Sequence, residues 1–145
     1  MALDANLVLL DGTIDLTAAT DTAPSSTTRN AATGAAVIDM GKTPVKGMAA
    51  ILTLPDAADG DTDTLTAFIE VSDEADFASD VHEMGKFDIV AATKGIILGS
   101  EVPATVVLRF SSSKRYCRLN ATVGTTPDNF GSVQCNLSPY PMDVL

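Results

Sequence analysis

The chain contains no tryptophan, one histidine and two cysteines, and its nine lysines and arginines face nineteen aspartates and glutamates. Each shortage excludes something. With no Trp, and Tyr116 and Tyr140 as the two tyrosines, there is little material for the exposed aromatic platforms of sugar sites. A carbohydrate-binding or adhesin sandwich is therefore a rival reading rather than the first one. A net charge of −10 lacks the clustered cations that nucleic acid and anionic membranes reward, so neither is expected as a partner. No apolar run approaches the roughly 18 residues of a membrane span. The opening MALDAN carries no basic segment ahead of the short apolar run 7–10, so no secretory signal is expected.

Scarce nucleophiles and metal ligands narrow the chemistry further. Cys117 and Cys135 belong to no C-x-x-C pair, which argues against a metal site built on them. In RYCRLNATV (115–123) Cys117 shares a face with Leu119, Ala121 and Val123, and in GSVQCNL (131–137) Cys135 shares one with Val133 and Leu137. Both thiols are expected to point inward. They act either as small core hydrophobes or, if these two segments form a hairpin around 127–129, as cross-strand neighbours able to pair. The lone His82 would need a positioned partner for acid–base work, and Asp80 and Glu83 cannot both face it on a strand. No serine or cysteine stands in a nucleophile elbow. No enzymatic activity, catalytic residue or cofactor is expected.

What the sequence does contain is alternation. In TLTAFIEVS (64–72), Leu65, Ala67, Ile69 and Val71 fall on one side of a period-two repeat, and Thr64, Thr66, Glu70 and Ser72 on the other. Phe68 alone breaks the pattern. Short segments of this kind, bounded by Gly, Pro, Asp and Ser, recur at 7–10, 13–17, 36–40, 48–54, 64–72, 81–87, 94–98, 105–110, 115–123 and 131–137. Ten short strands overfill one sheet, so the expected fold is all-β: a jelly-roll-like antiparallel β-sandwich, with an immunoglobulin-like sandwich as the alternative. At 145 residues the chain suits one domain, 1–145, able to bury about 70% of the surface its unfolded form exposes. An extended N-terminal arm is expected at about 1–10. The segment 18–35 is poor in large apolar residues and longer than an ordinary loop, so it is either flexible or ordered against a neighbouring subunit.

Two charged features are candidate sites. Asp59, Asp61 and Asp63 fall at positions one, three and five of a calcium-loop pattern, with Glu70 at position twelve. Thr64 stands where the pattern requires glycine, and Glu70 belongs to an extended strand, so a solvated turn is the better reading and no metal is expected. Arg109, Lys114, Arg115 and Arg118 gather four of the nine cations within 109–118. They either pair with the acidic turns of their own chain or form a patch for an acidic partner surface, a second copy included.

The order of several pieces resembles a known family. Ala2-Leu3-Asp4, VIDMG at 37–41, LTAFIEV at 65–71 followed by SDEADF at 72–77, MGKF at 84–87 and RYCRL at 115–119 together resemble tailed-phage capsid cement, or decoration, proteins. The segment 18–35 and the two-proline end at 138–145 depart from that pattern. The resemblance implies a jelly-roll-like sandwich on the outer surface of an icosahedral shell in the virion, made in the cytoplasm of a bacterial host. It further implies that the chain bridges subunits of the major capsid protein and associates with itself as a homodimer or homotrimer. Expected contact residues are Met1, Ala2, Leu3, Asp4, Arg29, Phe68, Tyr116, Arg118, Tyr140 and Leu145. A head-completion or tail structural protein of the same architecture is the nearest alternative.

Overall fold

The computed structural model describes residues 7–20, 22–42, 45–55, 62–90, 104–124 and 129–139. Eight strands run through them: β1 (Val8–Asp11), β2 (Ile38–Asp39), β3 (Val45–Leu54), β4 (Thr64–Ser72), β5 (His82–Val90), β6 (Ala104–Ser112), β7 (Tyr116–Val123) and β8 (Gln134–Pro139). The run 64–72 is β4, and the four residues on its inner side, Leu65, Ala67, Ile69 and Val71, are all buried. The hydrophobic effect sets this alternation, because a one-residue slip would turn the whole inner row to water.

Pairing is antiparallel throughout, in two four-stranded sheets of order β1-β8-β3-β6 and β2-β7-β4-β5. The first half of the chain pairs with the second in reverse: β4 with β5, β3 with β6, β2 with β7 and β1 with β8. A long hairpin rolled up in this way is a jelly roll, and its two Greek keys give the fold expected from the sequence. An immunoglobulin-like sandwich, whose sheets run A-B-E-D and C-F-G, does not pair its strands in this order.

Between the sheets lie Leu9, Leu52 and Leu137 from one side and Leu65, Ile69, Phe87, Ile89 and Leu119 from the other, each at most 2% exposed. Ala50, Ala67 and Ala121 are buried among them, and their small size lets the layers interdigitate. At the open edge β5 and β6 close on one another where Gly85 has no side chain. A Cβ there would run into the side chain of Leu108.

Several sequence expectations change in detail. The segment 13–17 is a turn rather than a strand, because the Asp11 carboxylate accepts the Thr13 N–H at 3.0 Å and the Thr13 hydroxyl at 2.7 Å, with Gly12 at φ 71°. Some pairing survives there: Leu16 N–H donates to Gly131 O and Phe130 N–H to Leu16 O, and Thr17 bridges Asn129. The expected strand 36–40 contracts to β2, and 94–98 lies outside the described residues. β7 and β8 do not form a hairpin with each other but belong to opposite sheets. Cys117 and Cys135 are free, fully buried thiols from the two layers. Burial raises the Cys135 thiol to about 12, and raises Cys117 further still, so both are protonated at neutral pH.

Candidate interaction surfaces

The outer face of the β4 sheet is knitted together by charge. Glu70 and Arg118 stand opposite each other on β4 and β7, and the guanidinium Nε donates to Glu70 Oε2 at 2.7 Å. Asn120 Nδ2 donates to the other carboxylate oxygen at 3.0 Å, and Arg118 Nη1 reaches Pro24 O at 3.1 Å. The same guanidinium lies 4.3 Å from the ring centroid of Phe77, a buried aromatic at φ 55°. That backbone conformation is costly for a bulky residue. It is held by a closed turn, in which Ser72 Oγ donates to Ser79 O and accepts the Glu74 N–H. Arg118 and Glu70 side chains are only 13% and 7% exposed, and every buried side-chain nitrogen and oxygen among the described residues has a partner.

Within the segment 18–35 the described residues make hydrogen bonds to the rest of their own domain. Thr22 and Ala121 exchange backbone hydrogen bonds of 2.9 and 2.8 Å, extending the edge of β7 beyond β2, and Val37 N–H donates to Ser26 O. Arg29 fastens the other end, donating to Gly34 O and Val8 O at 2.6 Å each and lying 3.5 Å from Asp11. Two expected contact residues, Arg29 and Arg118, are thus committed to holding their own fold. Arg29 also borders an open cleft of about 590 Å³ with Thr27, Asp39 and Gly41.

Further ion pairs ring this sheet. Arg115 forks onto Asp39, with Nη2 at 2.6 Å, and Lys114 bridges Asp73 and Asp80, while His82 contacts Asp80 at 2.9 Å. Hydrogen bonds from Arg115 and from the Gly41 N–H lower the Asp39 pKa, and those from Lys114 and His82 lower that of Asp80. Three of the clustered cations, Lys114, Arg115 and Arg118, therefore pair with carboxylates of their own chain. Phe68 sits half-buried on this outer face between Asn120 and Lys86, whose ammonium lies 5.8 Å from the ring centroid. Tyr116 is half-buried beside the Arg115 guanidinium, 4.9 Å from its ring centroid.

The opposite face is built differently. β3, β6 and β8, of ten, nine and six residues, contain no Asp or Glu. Their outward positions form registered rows: Gln134, Thr53 and Thr105; Asn136, Ile51 and Val107; Ser138, Ala49 and Arg109. Val107 is 52% exposed, the most exposed large apolar side chain among the described residues. The remaining strand of this sheet, β1, ends in Asp11, whose carboxylate is held by Thr13 and Arg29. Sequence reasoning missed this face, although acid-free strands in so acidic a chain were there to be read.

Of the remaining expected residues, Met1, Ala2, Leu3, Asp4, Tyr140 and Leu145 lie outside the described residues, as do Asp59 and Asp61. Asp63 is buried and accepts the Asn129 N–H at 3.4 Å, while the position-twelve Glu70 is engaged by Arg118 and Asn120. Among the described residues no group of three metal-ligating side chains comes together. A scan of protein-family models finds none that matches the chain, and a search of curated proteins finds no match.

Proposed function

We propose that this chain is a virion structural protein, a cement protein that binds the outer surface of an icosahedral phage shell and bridges subunits of the major capsid protein. The observation that carries the reading is Phe68 at the middle of a braced outer face. It is an aromatic anchor flanked by Lys86 and Asp88 of β5 and by Asn120 and Thr122 of β7. An anchor with a polar, mixed-charge rim is how protein interfaces concentrate binding energy. The bracing by Glu70 and Arg118 supports it too, because a face that does not reorganise loses little entropy on docking. A clamp that binds the assembled lattice and not free subunits stabilises the lattice by mass action, and many copies add avidity. The acidic turns would keep a coat of such copies soluble.

The test uses purified shells stripped of this protein and re-supplied with it. The chain should load onto the outside in copy numbers comparable to the major capsid protein and raise the temperature at which shells rupture. Phe68→Ala, with an unchanged circular dichroism spectrum, should load at least tenfold more weakly. A handful of copies confined to the portal vertex would instead identify a head-completion protein.

A further inference from the structure

We infer that the open cleft beside β2 is a strand-addition site, which takes an uncharged, extended peptide segment of a partner protein and pairs it with the backbone of Asp39. The inference rests on a sheet edge and not on Phe68, so it stands whether or not the chain binds a shell. β2 is an outer strand of its sheet and pairs on one side with β7. In an antiparallel pair every second residue turns its backbone N–H and C=O away from the neighbouring strand. Met40 N–H donates to Arg115 O, and Ile38 stands opposite Cys117. The backbone groups of Ile38 and Met40 are thus spent on β7, and those of Asp39 point the other way, on the side where it lines the cleft. Among the described residues neither the N–H nor the C=O of Asp39 has a hydrogen-bond partner. Two residues earlier the same edge already accepts a strand-like neighbour: Val37 N–H, turned outward by the same alternation, donates to Ser26 O at 2.9 Å. The chain then leaves the edge, because Arg29 is fastened to Gly34 O and Val8 O. The cleft, of about 590 Å³, lies between Thr27 and Arg29 on one side and 36–39 on the other.

Charge selects the occupant. The two ionic side chains at the rim are already compensated, Asp39 by Arg115 and the Gly41 N–H, and Arg29 by two carbonyls and Asp11. A charged ligand would have to displace one of these contacts, whereas a peptide backbone needs only the donor and acceptor that Asp39 presents. Ala36, Val37 and Ile38 line the cleft with apolar groups that are at most 6% exposed, so small apolar side chains suit the residues that face them. Space is adequate as well. The volume falls within the roughly 300–1,000 Å³ of ligand sites. Past Asp39 the groove stays open, because a Cβ on Gly41 would meet nothing within 4 Å. In strand addition the main-chain bonds supply affinity and alternate side chains supply specificity, which is the division of labour this cleft offers.

Amide exchange of the full chain, with and without peptide, tests this. The probe is a pool of peptides of about five residues, about 3.3 Å each, built from Val, Thr, Ser and Ala and blocked at both ends so that they carry no charge. In the free chain the Asp39 amide should exchange with solvent as quickly as an exposed loop amide. The pool should slow it at least tenfold and shift the NMR signals of Asp39 and Gly41, with half-saturation at about 1 mM. Methylating the peptide backbone nitrogens removes the donors that meet Asp39 O and should abolish both effects. Thr27→Trp, which fills the cleft from an exposed wall position, should abolish them with an unchanged circular dichroism spectrum. An Asp39 amide that is already protected in the free chain overturns the inference, because the edge is then paired. So does a pool that leaves Asp39 unmoved at about 10 mM, or methylated peptides that act as well as unmethylated ones. Tighter binding of a pool that carries Asp or Lys would also overturn it, by showing that the rim charges choose the occupant.

Discussion

The two sheets share a core but build their outer faces in different ways. The β4 sheet carries Asp39, Glu70, Glu83 and Asp88 among its strands and satisfies its most buried carboxylate internally, through Arg118 and Asn120. The β3 sheet carries no acid on β3, β6 or β8, and its outward side chains are Thr, Ser, Asn and Gln together with Ala49, Ile51, Val107 and Arg109. One face is tied together by ion pairs, and the other is built chiefly of uncharged side chains. The lesson is that a high net charge says little until it is mapped: among the described strands the acids gather in the β4 sheet, and Asp11 at the end of β1 is the one that the β3 sheet carries.

That contrast can be broken first at its most buried pair. Arg118→Ala leaves Glu70 with Asn120 as its partner and frees Phe77 and Pro24 from the guanidinium, and should cost about 3–5 kcal/mol in urea denaturation. A loss below about 1 kcal/mol would show the pair behaving as an ordinary surface ion pair. Next in size is the edge where the sheets meet. Gly85→Ala pushes on Leu108 and should lose about 1–3 kcal/mol, with pairing Gly85→Ala to Leu108→Ala recovering part of it.

Acid comes third. Asp39 and Asp80 have pKa values lowered in the folded chain, so each stabilises the fold above its ordinary value and loses that contribution as pH falls through the folded value. Lys114 and Arg115 are raised by these contacts, so on the alkaline side stabilisation is full below their ordinary values and is lost as pH rises through the folded ones. The melting temperature should therefore fall once the pH drops below about 4, and Asp39→Asn should make that fall shallower. Smallest of all, Val107→Glu should change the stability of the isolated monomer by less than about 0.5 kcal/mol, since an exposed edge position has no packing to lose. A large loss would mean that the neutral face is structural after all.

The layer architecture was legible in the sequence because burial on one face imposes a period of two, and Leu65, Ala67, Ile69 and Val71 keep it without exception. The same reading failed at 13–17, where Asp11 captures the Thr13 backbone and turns an apparently alternating stretch into a corner. It also failed to foresee how 18–35 is held. The segment lacks apolar anchors because its backbone does the holding: Thr22 pairs with Ala121 as a strand would, which side-chain patterns do not reveal. Arg118 lies on the outer side of β7, one step from the buried Cys117 as a period of two requires, but its covering by Phe77 and Pro24 depends on a left-handed turn and a contact 94 residues distant in sequence. No local pattern encodes either.

The reverse-order pairing of strands governs how the molecule comes together in time. β4 and β5 are the only paired strands that follow one another in sequence among those described, whereas joining β1 to β8 closes nearly the whole chain into a loop. Loop closure costs more as the span grows, so the central pair should form early, with β3 and β6, then β7 and β2, added outward and β1 arriving last. Opening in the native state runs the other way. Amides of Val8 to Asp11 should exchange with solvent well before those of β4, and a molecule in that half-open state presents the unpaired edge of β8 at the margin of the acid-free face.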